Sequence, residues 1–381
     1  MIIGVPREIK THEYRVGMVP GGVSALTQAG HTVLLEKDAG MAAGYSNDEY
    51  VHSGAKLISS PADLWKEAEL VVKVKEPQPA EYDLMQKNQI LFCYLHLAPV
   101  PELTRTLMDR CVNAVALETI QYKDGHLPCL MPMSEIAGRM AIHIGIGYLM
   151  HDRGGPGILL EGVPGVPPCE VLVLGAGTVG VNAARVAANL GAHVRIMDIN
   201  LSRLAYIDEA FDGRISTVMS NDHNIEKFVP EAQLLVGAVL VPGGRTPVLV
   251  SRELVSKMQE GAVIVDCSVD QGGCIETTRP TTHDDPVYTV SGVTHYCVSN
   301  IPGAVQRTST QALTNSTLPF VIKIANEGLE KAAAKDSALR LGINIFVPKD
   351  GKRGVITCKP VADALGESYV PIDEAACLKN D

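Results

Sequence analysis

Few folds accommodate the run Val171-Leu172-Val173-Leu174-Gly175-Ala176-Gly177-Thr178-Val179-Gly180, which joins an apolar strand to a helical stretch from Val181 to Leu190. At this spacing Gly175 permits a tight turn, Gly177 lets backbone approach a pyrophosphate, and Gly180 lets the helix pack closely on the strand. The helix N-terminus then faces the phosphates. Asp198 ends the next predicted strand, 18 residues beyond Gly180. A carboxylate at that place accepts hydrogen bonds from ribose hydroxyls and repels a 2′-phosphate. The expectation is a dinucleotide-binding domain that prefers NAD to NADP, with the nearby Arg203 weakening the exclusion.

Around this motif, short β-branched runs alternate with helical patterns, the signature of βαβ units and parallel sheets. Strands are predicted at 2–5, 32–35, 70–74, 89–95 and 113–116, and a second set at 171–174, 193–197, 234–236, 263–265 and 287–290. A Gly/Pro-rich stretch from Gly154 to Pro168 separates the sets and reads as a loop. Just before it, Ser134 is placed to cap a helix from Glu135 to His151. After Asn300-Ile301-Pro302-Gly303 the pattern is helical from Thr310 to Lys335, with Pro319 expected to kink or restart the helix. The fold class is therefore α/β, with two Rossmann-like doubly wound domains. Residues 1–130 form the first part of a discontinuous substrate domain, 131–304 the NAD-binding domain, and 305–381 the helical return of the substrate domain.

Composition narrows the function. With 43 Asp+Glu against 33 Lys+Arg and no basic run, nucleic acid is an unexpected partner. Nine cysteines, none in a Cys-x-x-Cys pair, argue against a disulfide framework or a zinc site and fit a reducing cytoplasm. The opening Met1-Ile2-Ile3-Gly4-Val5-Pro6-Arg7 lacks the pattern of a signal peptide. No apolar stretch approaches the roughly 18 residues of a membrane span.

Chemistry in open α/β sheets sits at the carboxyl ends of strands. Lys75 closes the run 70–77 ahead of Pro77, and His96 closes the run 90–99 ahead of Pro99, so both fall at strand ends. Arg15, in the loop after the first strand, is suited to a bidentate clamp on a carboxylate. In the second domain, 262–273 runs off a strand into glycines and puts Asp270 near the exposed edge of the cofactor site, with Asp266 as the more buried alternative.

Several segments together resemble the alanine dehydrogenases: Gly4-Val5-Pro6-Arg7-Glu8, Glu13-Tyr14-Arg15-Val16, Val72-Lys73-Val74-Lys75-Glu76-Pro77, Tyr94-Leu95-His96-Leu97-Ala98, Pro132-Met133-Ser134-Glu135, Asp270-Gln271-Gly272-Gly273 and His295-Tyr296-Cys297-Val298-Ser299-Asn300. They fall in order from the start to about residue 340. The resemblance implies interconversion of L-alanine and NAD with pyruvate, ammonium and NADH. It assigns Arg15 and Lys75 to the substrate, His96 and Asp270 to acid/base work, and Asp198 to the ribose. Ser134, Gly175, Gly177, Thr178, Val179, Gly180, Arg203, Ser220, Val239, Leu240, Arg279, Val298 and Asn300 match cofactor-contact positions. It further implies a homohexamer. Some relatives hold a divalent ion on the C-terminal helix, where this chain offers Lys323 and Glu327, so no metal is expected. The alternative reading is a non-catalytic or transhydrogenase-type NAD(H)-binding subunit.

Overall fold

A computed structural model describes residues 1–239 and 246–377. The chain divides into two compact units, one made of Met1–Met133 and Val305–Asp381, the other of Ser134–Ala304. Each is built on a mostly parallel sheet, and the two sheets share the order of their first five strands.

In the first unit the chain lays down β1 (Ile2–Val5), β2 (Thr32–Glu36), β3 (Lys56–Ile58), β4 (Leu70–Val72), β5 (Ile90–Cys93) and β6 (Asn113–Ala116). The second unit follows with β7 (Glu170–Leu174), β8 (His193–Asp198), β9 (Ile215–Met219), β10 (Leu234–Gly237), β11 (Val263–Asp266), β12 (Val287–Val290) and β13 (Val293–Tyr296). Then β14 (Ile343–Phe346) and β15 (Val355–Ile356) return to the first unit. The first sheet runs β3-β2-β1-β4-β5-β6-β14-β15, with β1 to β6 parallel, β14 antiparallel to β6 and β15 antiparallel to β14. The second runs β9-β8-β7-β10-β11-β13-β12, parallel except for β12. In both, the strand order reverses beside the first strand of the unit, and that is where doubly wound sheets open a crevice for ligands.

Strands covered on both faces read as continuous apolar runs. In β7, Val171 and Val173 pack into one core cluster and Leu172 and Leu174 into the other, all buried. The helix Thr178–Leu190 lies on the first of these faces through Ala183, Ala184 and Ala187. In the first unit, Val71, Leu91, Cys93 and Ala114 from three adjacent strands form one cluster with Leu103, Leu107 and Trp65. Among the described residues no helix is long and apolar enough to cross a membrane.

Several expectations are corrected. The helix foreseen from Glu135 begins at Met131 and ends at Leu149, so Ser134 lies inside its first turn and is not its cap. Pro132 explains the earlier start, because a proline in the first turn forfeits only an amide that has no helical partner. Pro319 neither ends nor restarts the helix Gln306–Glu327. Both Pro319 and Asn315 are on the exposed face, so the carbonyl that loses its donor meets water. The breaks come at Gly328 and Asp336 instead. The C-terminal return is not purely helical, since it adds β14 and β15 to the sheet. Strands β3, β9 and β13 were not foreseen, and β4 and β5 stop two residues short of their predicted ends.

Candidate active site

Four residues of the first unit are carried by loops that leave the carboxyl ends of adjacent strands: Arg15 after β1, Lys75 after β4, His96 after β5 and Glu118 after β6. The loop bearing Arg15 crosses directly over the end of β4, because a Cβ on Gly17 would lie 2.5 Å from the Val72 carbonyl oxygen. Beyond β4 and β5 the two segments stay side by side, the Tyr94 amide donating to the Val74 carbonyl at 3.0 Å. Arg15, Lys75 and His96 thus share one sheet edge.

Arg15 is buried and its guanidinium makes a two-pronged pair with Glu13, Nε to Oε1 at 2.7 Å and Nη2 to Oε2 at 2.6 Å. Nη1 lies 3.1 Å from the Met133 sulfur. Burial alone would raise the Glu13 carboxyl, but the hydrogen bonds and charge of Arg15, with Lys75 adding to them, hold it below its ordinary value. Burial, and next the charge of Arg15, push the Lys75 ammonium down. Among the described residues Lys75 has no ion-pair partner. Its neighbour Lys73 is different: fully buried, it is clamped by Glu8 at 3.2 Å and Glu81 at 2.9 Å. Glu8 also accepts the Val74 amide at 2.6 Å, so this triad ties the loop after β1 to the strand end that carries Lys75.

His96 has a half-exposed ring and a left-handed backbone, φ 46°. The ring lies nearly parallel to that of Tyr94, with centroids 6.1 Å apart. Tyr94 is itself buried and pinned by a 2.6 Å hydrogen bond from its hydroxyl to the Cys129 carbonyl.

In the second unit the glycines meet the demands that their spacing set. Gly175 has φ 99°, and a Cβ there would sit 2.6 Å from the Ala238 carbonyl oxygen at the end of β10. Gly177 caps the helix Thr178–Leu190 with no side-chain hydrogen bond, and no described atom lies within 4 Å of where its Cβ would be. Gly180 is pressed so closely on the turn that a Cβ would fall 1.8 Å from the Gly175 carbonyl oxygen. Thr178 and Val179 are half-buried on the first helical turn. Asp198 ends β8, accepting the Ala176 amide at 2.6 Å and the Asn200 amide at 2.8 Å. Arg203 binds the carbonyl of the same residue, its Nε and Nη2 donating to the Ala176 oxygen at 3.1 and 2.9 Å. These residues converge on the glycine turn. An open helix N-terminus, a vacant approach over Gly177 and a carboxylate at the second strand end fit a dinucleotide.

The remaining candidates are distributed around that turn. Ser220 follows β9, its amide bonded to the Asp198 carbonyl at 3.0 Å. Ser134 stands one helical turn before Gly138, where a Cβ would lie 2.1 Å from the Val179 carbonyl oxygen, so it faces the start of the same helix. Val239 leaves β10, and its carbonyl accepts from the Ser268 hydroxyl at 2.7 Å. Leu240 lies outside the described residues. Arg279 is exposed and stacks over Tyr288 at 4.2 Å. Val298 is buried and bridges Thr281, while Asn300 has φ 68° and accepts a hydrogen bond from His283 at 3.3 Å. Asp270 is exposed on the short turn Val269–Gln271 just past β11. Asp266 is fully buried and accepts from Ser268 N at 2.9 Å, Thr278 Oγ1 at 2.8 Å and Cys274 N at 3.2 Å, while burial raises its pKa. Its carboxylate closes the base of the loop and leaves Asp270 as the group open to solvent.

Residues 4–137 match the model of the alanine dehydrogenase/PNT N-terminal domain, and residues 141–351 that of the C-terminal domain. The chain belongs to the alanine dehydrogenase/PNT family. An alanine dehydrogenase of Methanococcus maripaludis is 50% identical over 98% of this chain and 99% of its own length. One of Bacillus subtilis is also 50% identical, over 98% of this chain and 97% of its own. A solved L-alanine dehydrogenase superposes with a TM-score of 0.92 at 51% identity, covering 96% of this chain and 99% of that one.

Four carboxylates at the sheet edge of the first unit hold their partners although no role was predicted for them: Glu13, Glu8, Glu81 and Glu118. Only Glu13 left a local trace. In the extended triplet Glu13-Tyr14-Arg15 the outer side chains share a face, with Tyr14 exposed between two buried ions. The others are 65, 8 and 22 residues from the side chain or backbone they hold, and only the strand order brings them together. Lys323 and Glu327, expected in place of metal ligands, pair with Asp336 and Lys335. Among the described residues no group of three His, Cys, Asp or Glu is arranged to hold a metal.

Proposed function

We propose that this protein is an NAD-dependent L-amino-acid dehydrogenase that oxidises L-alanine to pyruvate and ammonium and runs the reverse reductive amination. What supports this most is its identity of about one half, over almost its whole length, to proteins named alanine dehydrogenase. The glycine turn of the second unit and Asp198 would hold the dinucleotide, and the negative charge of Asp198, which would repel a 2′-phosphate, favours NAD. When bound, NAD supplies a hydride acceptor at its nicotinamide C4.

On this reading Arg15 and Lys75 hold the alanine carboxylate. The Glu13 pair leaves Arg15 committed on its Nε/Nη2 edge, so Lys75 carries the uncompensated charge. His96 accepts a proton from the substrate ammonium, freeing the nitrogen lone pair to form the C=N bond as hydride leaves Cα. Water then adds to the iminium carbon, its proton passing to the acid/base pair His96 and Asp270. Protonation of the carbinolamine nitrogen and loss of ammonia complete the sequence, leaving pyruvate. The reading carries with it a cytoplasmic homo-oligomer, hexameric by family resemblance.

The test is NADH formation over a panel of small amino acids, with wild type beside His96→Ala and Asp270→Asn. Alanine oxidation is expected, with kcat reduced by roughly 10²-fold or more in each variant. Unchanged oxidation in both variants removes the acid/base assignment. Tight NADH binding without turnover of any amino acid removes the dehydrogenase reading.

A further inference from the structure

His96 is the candidate whose backbone is least comfortable, since left-handed φ is uncommon outside glycine. Something must hold it there. Strands β5 and β6 run in parallel register, with Cys93 opposite Ala116, and the chain leaves β6 through the short turn Leu117–Thr119. Glu118 on that turn reaches the segment after β5. Its Oε1 accepts the His96 amide at 2.7 Å, and Oε1 and Oε2 share the Leu95 amide at 3.3 and 3.2 Å. The ladder therefore ends at Cys93, two residues earlier than the sequence pattern suggests, because a carboxylate takes over the next free amides. The same Oε1 lies 3.9 Å from the His96 Nδ1.

We infer that Glu118 is the positioning residue of His96, fixing its backbone and facing Nδ1 so that Nε2 is the nitrogen presented to the substrate; this rests on the dehydrogenase reading above. A carboxylate beside Nδ1 favours the tautomer with the proton on that nitrogen and leaves the Nε2 lone pair as base. It also stabilises the imidazolium once Nε2 has taken a proton. At 3.9 Å the contact is longer than a hydrogen bond, and such contacts commonly tighten when substrate binds. Tyr94 lies over the face of the ring and Glu118 at its edge. Glu118 does not itself touch the reacting atoms.

Glu118→Gln keeps the shape and one acceptor oxygen but removes the charge. In the full-length enzyme, kcat for alanine is expected to fall roughly ten- to hundredfold, with KM for alanine and Kd for NADH within about threefold of wild type. The double variant Glu118→Gln/His96→Ala is expected to be no slower than His96→Ala alone, because groups that act as a unit are not additive. The proposal is overturned if kcat of Glu118→Gln stays within twofold of wild type while His96→Ala collapses. It is equally overturned if the two losses multiply in the double variant, or if NADH binding is lost along with activity, which makes Glu118 architectural only. Wild-type turnover by His96→Ala would instead remove the acid/base role of His96, and wild type that turns over no amino acid would sink the dehydrogenase reading on which the inference stands.

Discussion

The two glycines Gly177 and Gly180 have opposite physical reasons to be glycine, and alanine substitutions separate them. At Gly180 the added methyl would sit 1.8 Å from the Gly175 carbonyl oxygen, 3.0 Å from its carbon and 3.2 Å from the Val173 side chain. A comfortable carbon–oxygen contact is roughly 3.3 Å or more, so helix and turn must part by about 1.5 Å. Overpacking of this kind costs about 1–3 kcal/mol. For a unit of this size that corresponds to a fall in Tm of about 2–12 °C. The same displacement moves the helix N-terminus off the glycine turn, and a misplacement of about 1 Å costs on the order of 10²-fold in the function that depends on it. Gly180→Ala is thus expected to lose both stability and NADH affinity. At Gly177 the backbone, φ −73° and ψ −171°, suits any L residue, and the methyl would meet no described atom within 4 Å. Gly177→Ala is expected to melt with wild type yet bind NADH about 10- to 100-fold more weakly, because the methyl stands where backbone must approach the pyrophosphate. Calorimetric melting of the apoenzyme and fluorescence titration with NADH read the two quantities apart. Wild-type Tm in Gly180→Ala, or wild-type NADH affinity in Gly177→Ala, would refute the argument.

Asp198→Ala removes the carboxylate proposed to hold the ribose and also frees the Ala176 and Asn200 amides; NADH affinity is expected to fall about tenfold or more and the proposed preference over NADPH to narrow, as measured by paired titrations with the two cofactors. His295 is fully buried, its Nδ1 bonded to the Val293 carbonyl at 2.9 Å and its Nε2 to the Thr277 hydroxyl at 2.7 Å, and burial lowers its pKa from about 6.5. Because the folded imidazole titrates below the unfolded one, the stability it contributes is present above that pH and is lost as the pH falls through the folded value. Denaturant titrations between pH 5 and 8 are therefore expected to show a shallower acid loss in His295→Gln than in wild type; equal slopes would remove His295 as a source of acid sensitivity.

What was legible in the sequence was whatever a few neighbouring residues determine by sterics. The glycine turn is one case, since each glycine answers to a contact within its own βα unit. Lys75 and His96 are another, because Pro77 and Pro99 stop the runs that carry them. The elements that escaped are short or half-exposed: Lys56–Ile58 has three residues with little burial, and Ile215–Met219, at the edge of its sheet, buries only Ile215 fully. Ile343–Phe346 is fully buried but follows three helices and pairs with β6, more than 200 residues earlier. No local pattern announces such a pairing. The carboxylates that hold the candidates were hidden for the same reason, being acidic residues whose partners are set by strand order and not by spacing.

That hidden layer changes how the charges at the first sheet edge are read. From sequence, Arg15, Lys73 and Lys75 look like three cations available to an anion. In the structure Glu13 satisfies the Arg15 fork, and Glu8 with Glu81 encloses Lys73. A buried charge without a partner is costly, and among the described residues Lys75 is the member of the set that has none. Burial and the neighbouring Arg15 push its pKa down, so the ammonium is destabilised until an anion arrives. If Lys75 binds the substrate as proposed, a carboxylate-bearing ligand would supply the missing partner, and the free energy spent in keeping Lys75 unpaired would be returned on binding. On the proposed reading Lys75 supplies the charge that meets the substrate carboxylate, and Arg15, already paired with Glu13, contributes beside it.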